Sequence, residues 1–273
     1  MLVPEVAVAM CVCSSDRLEY LIQAVESVQH QSLASSLLII HADGALPIGT
    51  EEYLRSVQNE RLILLWGVER SGLAHGLNVI IEEVVRRFPT VKYIARMDAD
   101  DIASLDRLAV QYEYMEEHQN IDVLGAWCIE FDDAGFEYLK KMPGGAELPR
   151  FSCYRSPLIH PTAFVRRRPF EAGHRYRVDL LKAQDYDLWS RLMCDGYGFE
   201  NLQRPLLRYR VSPQMHQRRA GFSLVWCETR MRFRHAWRMK MYSPIVWLKI
   251  IGFFAVRISP PAVRVLSYRY FRG

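Results

Sequence analysis

Tyr93-Ile94-Ala95-Arg96-Met97-Asp98-Ala99-Asp100-Asp101 is a short apolar run of strand character that ends in three carboxylates within four positions. Like charges at that density repel one another and cost stability unless a cation or hydrogen-bond donors neutralise them. Aspartates offer hard oxygen ligands, which suit Mg2+ or Mn2+. An isolated cluster of this kind also fits a solvated turn that caps a helix, since acids favour turns and helix starts. The surrounding pattern decides between the two.

Upstream, Val6 to Val12 is almost continuously apolar, as in a parallel strand buried on both faces. Ser14-Ser15-Asp16 offers helix caps, with Glu19 three residues after Asp16 as in a capping box. Leu18, Leu21, Ile22, Val25 and Val28 then follow at helical spacing. A second strand, Leu37 to His41, runs into Ala42-Asp43-Gly44. Thr50 to Val57 reads as a short helix, Leu62 to Trp66 as a third strand, and Gly72 to Phe88 as a turn opening a helix. Val91 to Met97 is the fourth strand, Asp106 to His118 a helix, and Asp122 to Phe131 another strand. Strand and helix alternate five times over short connections, the signature of a doubly wound, mostly parallel α/β sheet. Such sheets bind ligands beyond the carboxyl ends of their strands. Asp43 and the Asp98 cluster are therefore placed to share one crevice.

Past Phe131 the pattern loosens. Pro143-Gly144-Gly145 opens an irregular stretch, and Leu158 to Val165 is strand-like. Gln184 to Cys194 reads as a helix with Asp185 in its first turn, and Leu206 to Val211 as a last strand. The chain thus divides into a domain over residues 1–211, with a nucleotide-facing half of about 1–131 and an acceptor half of about 132–211, and a tail over 212–273.

The net charge of +4 conceals a segregation. Residues 204–273 carry 15 Lys and Arg against a single acid, Glu228, while residues 1–203 carry 20 basic and 30 acidic side chains. Phe222, Trp226, Phe233, Trp237 and Met241 form an aromatic-rich helical stripe, and Ser243-Pro244 starts a second helix. Ile245 to Ile258 is apolar but carries Lys249 and Arg257, and it is shorter than the roughly 20 residues a membrane span needs. Such a tail suits an anionic membrane surface. The alternative is a helical pair packed on the body with snorkelling arginines. Interleaved Trp and Arg could stack bases, but no nucleic-acid module accompanies them and the body is acidic, so no nucleic-acid partner is expected. Cys11, Cys13, Cys128, Cys153, Cys194 and Cys227 lack zinc-finger spacing, which suggests reduced thiols without disulfide or structural zinc. Residues 1–5 lack the pattern of a secretory signal. The expected location is the cytoplasm, peripheral on the inner face of the cytoplasmic membrane.

In this order the motifs resemble family 2 glycosyltransferases of the GT-A fold, over roughly residues 4–211. More narrowly, the chain is similar to small bacterial transferases of exopolysaccharide and O-antigen synthesis. The opening strand with Cys11 and Cys13 resembles the family's nucleotide-facing first strand. Asp43-Gly44 resembles its base-contacting Asp-Gly pair, and Gly72-Leu73-Ala74 with Asn78 its Gly-Leu-Ala…Leu-Asn segment. Arg96-Met97-Asp98-Ala99-Asp100-Asp101 is similar to the Asp-x-Asp motif that holds metal and diphosphate. Ala183 to Trp189 is similar to the helix-start motif whose first Asp is the catalytic base. His160-Pro161-Thr162 and Leu207 to Val211 also match family habits. The chain departs from them at Ala42, Arg70-Ser71 and Gln184, where relatives often carry an acid, an asparagine and a glutamate.

The resemblance implies that Cys11, Cys13, Asp43, Gly72, Asn78, Arg96, Asp98 and Asp100 bind the nucleotide sugar. Asp98 and Asp100, with His216 near the place of a late metal-ligand histidine, would hold Mn2+ or Mg2+. Asp185 would take the acceptor's proton, and its place at a helix start favours the ionised form. The implied activity is hexosyl transfer from a nucleotide-diphosphate sugar, a UDP-sugar favoured, to a hydroxyl of a lipid-linked or other saccharide acceptor. One base without a separate carboxylate nucleophile implies inversion, by analogy with glycoside hydrolysis. A sugar nucleotidyltransferase would need a glycine-rich basic loop after the first strand, and Val12-Cys13-Ser14-Ser15-Asp16-Arg17 has no glycine. A non-catalytic membrane-surface protein would carry the acids as a relic.

Overall fold

The computed structural model describes residues 3–180, 182–211 and 222–259. Strand β1 (Val6–Cys13) is buried along nearly its whole length, which is why its sequence runs apolar instead of alternating. It pairs in parallel with β2 (Ser36–Asp43) on one side and β4 (Tyr93–Met97) on the other, and β3 (Leu62–Trp66) extends the sheet beyond β2. The crossovers are α1 (Leu18–Gln29), α2 (Ile48–Val57) and α3 (Leu73–Arg87). Leu21, Val25 and Leu54 pack into one core, and Leu77, Ile80 and Val84 into another. With β2 on one side of β1 and β4 on the other, the strand order reverses at β1–β4. A crevice opens there beyond the strand ends. Met10 is level with Met97, so the acids that follow Met97 emerge beside Cys11.

The chain continues through β5 (Ile102–Ala103), α4 (Arg107–Glu117), β6 (Val123–Phe131), β7 (Glu137–Lys140) and α5 (Leu148–Ser152). Then come β8 (Phe164–Arg166), α6 (Arg168–Glu171), α7 (Gln184–Cys194) and β9 (Phe199–Arg210). The order across the sheet is β3-β2-β1-β4-β8-β6-β9-β5, with β7 paired on β6. Among the described residues only β5, β7 and β8 run against the rest, so the doubly wound, mostly parallel expectation holds.

Three local expectations do not hold. The capping box is absent, because α1 starts after Arg17 without a side-chain cap. Asp16 instead accepts the Cys13 N–H at 2.8 Å and closes the end of β1. Leu158 to Val165 is not a strand along its length. Pro161 has no N–H to donate, His160–Thr162 forms a tight 3₁₀ turn, and ladder pairing begins only at Phe164. The last strand begins at Phe199, well before Leu206. Its first half is polar, and its ladder to β6 is irregular where Trp127 meets Pro205, so it carries no period-two signal.

Two further helices, α8 (Phe222–Arg238) and α9 (Pro244–Ile258), pack on each other, and α8 lies on α7. Val225, Thr229, Arg232, His235 and Ala236 form its buried side. His235 Nε2 lies 2.8 Å from Ser152 Oγ, and the Arg232 guanidinium covers the rings of Tyr186 at 4.9 Å and Phe253 at 3.8 Å. Glu228 faces Arg232 at 3.5 Å and Arg257 at 3.4 Å, so the acid offsets two buried cations. All six cysteines are free. Among the described residues no helix is long and apolar enough to cross a membrane. His216 lies outside the described residues.

Candidate active site

Alternation along β4 decides what the crevice floor contains. Tyr93, Ala95 and Met97 enter one core and Ile94 the other. Arg96 therefore lies beneath α3, among Ala9, Leu77, Ile81, Val165 and Phe170. A guanidinium in such surroundings needs a counter-charge. Asp98, two residues on, supplies it as an ion pair to Nη1, while the buried Nε has no hydrogen-bond partner among the described residues. A second cation lies close by. Arg107, at the start of α4, is 1% exposed. Its Nη2 donates to the Arg96 carbonyl at 2.8 Å and its Nε to Gln111 Oε1 at 3.1 Å. Burial pulls the Arg107 guanidinium down to about 10, so it stays charged at neutral pH.

Asp98, Asp100 and Asp101 each bring a carboxylate oxygen to within 4.8 Å of the others. Asp101 is fully buried. Its Oδ1 accepts the Arg210 N–H at 2.8 Å, and its Oδ2 has no hydrogen-bond partner among the described residues. Asp100 is exposed to the crevice. Poor solvation, then the Asp98 charge, pushes the Asp100 and Asp101 carboxyls up, and Asp16 adds to the effect on Asp100. Asp16 is itself raised, first by burial, with Asp98 also contributing. These residues fit a divalent cation. Hard oxygens converge, one is orphaned and buried, and the carboxyls hold one another back from ionising.

The other sequence candidates divide between crevice and support. Asp43 is buried at the end of β2, where Oδ1 accepts the Ser71 N–H at 2.7 Å and Oδ2 the Gly72 N–H at 3.0 Å. The carboxylate thereby ties β2 to the turn before α3, at the positive end of that helix. Gly72 takes φ 87°, a region that side chains resist. Gly76 is where α3 touches the sheet, since a Cβ there would stand 2.8 Å from both Cys11 Sγ and His41 Nδ1. Cys11 accordingly lies under α3, and burial pushes its thiol up to about 12. Cys13 is half-buried, with Sγ 3.1 Å from Ser15 Oγ. The Asn78 amide is engaged at both ends with Tyr176, donating to its carbonyl at 2.8 Å and accepting its N–H at 2.9 Å.

Asp185 is half-buried in the first turn of α7, after Ala183 turns the chain at φ 59°. Tyr176 lines the same space as Arg96. Burial raises the phenol pKa, and the charges of Arg96, Asp185 and Asp98 all act on it. Its hydroxyl lies 3.0 Å from His160 Nε2, and the fully buried Trp189 of α7 stands 6.1 Å from the His160 ring. Burial drives the His160 pKa well down, so it is a neutral, hydrogen-bonded core histidine. Sequence reasoning missed Asp16, Arg107, Tyr176 and Arg210. Asp16, three residues past the end of β1, carried a positional signal, and Arg210 fell within the Leu207 to Val211 stretch.

A doubly wound sheet whose switch-point crevice carries such an acid cluster has the architecture of the GT-A transferases, which act on nucleotide sugars. The chain belongs to glycosyl transferase family 2, whose sequence profile matches residues 8–173. It is 28% identical over 227 residues to the amylovoran biosynthesis glycosyltransferase AmsE of Erwinia amylovora, covering 82% of this chain and 83% of that one. It is 24% identical over 273 residues to an Escherichia coli UDP-Gal:alpha-D-GlcNAc-diphosphoundecaprenol beta-1,3-galactosyltransferase, covering 97% and 96%. The solved mannosyltransferase PcManGT of Pyrobaculum calidifontis, in complex with GDP-Man and Mn2+, superposes at TM-score 0.63 with 16% identity, over 98% of this chain and 79% of that one.

A carboxyl whose folded pKa is raised keeps a proton that the unfolded chain releases. Stability then falls as pH rises from the ordinary carboxylate range toward neutrality. Asp100→Asn removes that penalty. In EDTA its thermal midpoint should exceed that of the wild type at about pH 8, and the excess should shrink as pH falls toward about 4, the ordinary carboxylate range. An unchanged or lower midpoint at the higher pH would contradict the electrostatics described here.

Proposed function

We propose that this glycosyltransferase is a metal-dependent, inverting hexosyltransferase of bacterial surface-polysaccharide synthesis. Its donor is a nucleotide-diphosphate sugar, a UDP-sugar favoured, and its acceptor a hydroxyl of a lipid-linked saccharide. The observation that carries this reading is the convergence of Asp98, Asp100 and Asp101 at the switch point. The diphosphoundecaprenol-linked substrate in the galactosyltransferase's name and the Mn2+ in the mannosyltransferase complex support it.

Asp98 and Asp100 would hold Mn2+ or Mg2+, which when bound neutralises the charge that builds on a leaving diphosphate. Arg96 holds Asp98 in place from beneath. Asp43 keeps lone pairs beyond those used by Ser71 and Gly72, and these can accept a ring N–H of the donor's base. Gly72, at the N-terminus of α3, brings backbone close to the nucleotide, and Cys13 lines the same edge. Asp185 takes the proton from the acceptor hydroxyl as it attacks, with the start of α7 favouring its ionised form. A single base and no carboxylate nucleophile give one displacement and an inverted anomeric centre.

The tail adds a surface suited to an anionic membrane, consistent with a peripheral place on the inner face of the cytoplasmic membrane. Trp226 is 49% exposed, Trp237 63% and Leu248 66%, with Phe222, Tyr242 and Ile251 also open. Arg230, Arg234 and Lys249 are exposed on the same two helices, and Lys240 on the turn between them. Apolar and basic groups mixed in this way fit the boundary between headgroups and acyl chains.

Asp100→Ala and Asp185→Ala should each lower transfer from a panel of nucleotide sugars by at least about a hundredfold. Circular dichroism should show the fold intact, and NMR of the wild-type product should show the opposite anomeric configuration to the donor. Full activity in either folded variant removes that residue from the mechanism, and a retained configuration removes inversion. Deleting the tail would uncover Tyr186 and Cys153, so point changes test the surface better. Trp226→Glu with Leu248→Glu should weaken binding to phosphatidylglycerol vesicles about tenfold or more. Unchanged vesicle binding would remove the membrane surface from the proposal.

A further inference from the structure

We infer that Arg210, the last residue of β9, is a positioning residue for the cation-holding acids, fixing the turn that presents Asp100. The inference rests on the metal reading above and concerns a residue that reading does not use. Its backbone N–H donates to Asp101 Oδ1 at 2.8 Å, and its side-chain Nε donates to the Asp100 carbonyl at 3.0 Å. One residue thus grips both sides of the 100–101 peptide. The guanidinium lies over the Tyr20 ring at 3.8 Å and the Phe131 ring at 4.5 Å. Its Nη2 donates to Gln23 Oε1 at 2.7 Å, and its Nη1 pairs with Asp133. Helix α1, the end of β6 and the turn after it therefore all bear on the same planar group.

Two features make this a strut and not a counter-charge. Its paired carboxylate is Asp133, outside the cluster, so its charge does not stand in for a cation there. Its direct contact with Asp100 is to the main chain. Asp100 occupies a short link between the end of β4 at Met97 and β5 at Ile102, beside two other carboxylates. Mutual repulsion would spread that link in the absence of a cation. A planar side chain clamped between two aromatic rings holds the peptide fixed, so the cation meets a prearranged oxygen.

The test is a titration of the metal-free full chain with Mn2+ alone, followed by loss of the free-ion electron paramagnetic resonance signal. The proteins compared are the wild type, Asp100→Asn, Arg210→Lys and Arg210→Met. Asp100→Asn should abolish the site. Both Arg210 variants should bind Mn2+ about 10- to 100-fold more weakly, the range for loss of an orienting partner. Arg210→Lys keeps a cation beside Asp133, so its unfolding midpoint in EDTA should stay near that of the wild type. A merely structural role would lower that midpoint and leave Mn2+ affinity of the folded protein unchanged, and this outcome overturns the inference. If Asp100→Asn binds Mn2+ as the wild type does, or the wild type binds none, the metal reading fails and takes the inference with it. If Asp100→Asn abolishes binding while both Arg210 variants match the wild type, the inference fails alone.

Discussion

The structure depends on the contact between Arg96 and Asp98, a buried guanidinium paired with the first of three clustered carboxylates. An isolated cation under α3 would be too costly to keep charged, and three carboxylates alone would repel. Each instability is reduced by the other. Arg107 reinforces the arrangement by donating to the Arg96 carbonyl, and its own charge acts on Asp101. The compensation is incomplete, since the Asp100 and Asp101 carboxyls remain raised. A divalent cation bound in such a crevice would relieve that residual repulsion.

The helix over that floor is joined to the wall that carries Asp185. Asn78 of α3 clamps the Tyr176 backbone, Tyr176 meets His160, and His160 lies beside Trp189 of α7. This chain of contacts leads from α3, beneath which Arg96 lies, to the helix that carries Asp185. On its far side, α7 is backed by α8, where Arg232 covers Tyr186. The helix that presents exposed tryptophans thus also supports the helix that presents the proposed base. Asp43 performs the matching service at the other wall, holding the Gly72 turn against β2.

Much of this was legible because strand burial and helical spacing leave strong periodic marks. The first four strands, α3 and α7 follow from apolar runs and from Gly72 and Asp185 at helix starts. The acid cluster was legible because three aspartates directly after a buried strand have no packing use. What stayed hidden acts through tertiary contacts. Arg107 looks like an ordinary first-turn helix residue, and its complete burial comes from the Arg96 carbonyl and Gln111. Asp16 looked like a helix cap but serves Cys13. Cys11 and Asn78 matched family positions, yet one lies under Gly76 and the other is engaged with Tyr176. β9 was half hidden because polar residues and Pro205 break its alternation.

The most direct measurement is anomalous diffraction at the manganese edge from crystals grown with Mn2+ and UDP. We expect one strong peak at the β1–β4 switch point, about 2.0–2.3 Å from an Asp100 carboxylate oxygen, with diphosphate oxygens completing the shell. A peak bound to other residues, or UDP seated in the crevice with no metal beside Asp100, would contradict the claim that these acids exist to hold a cation.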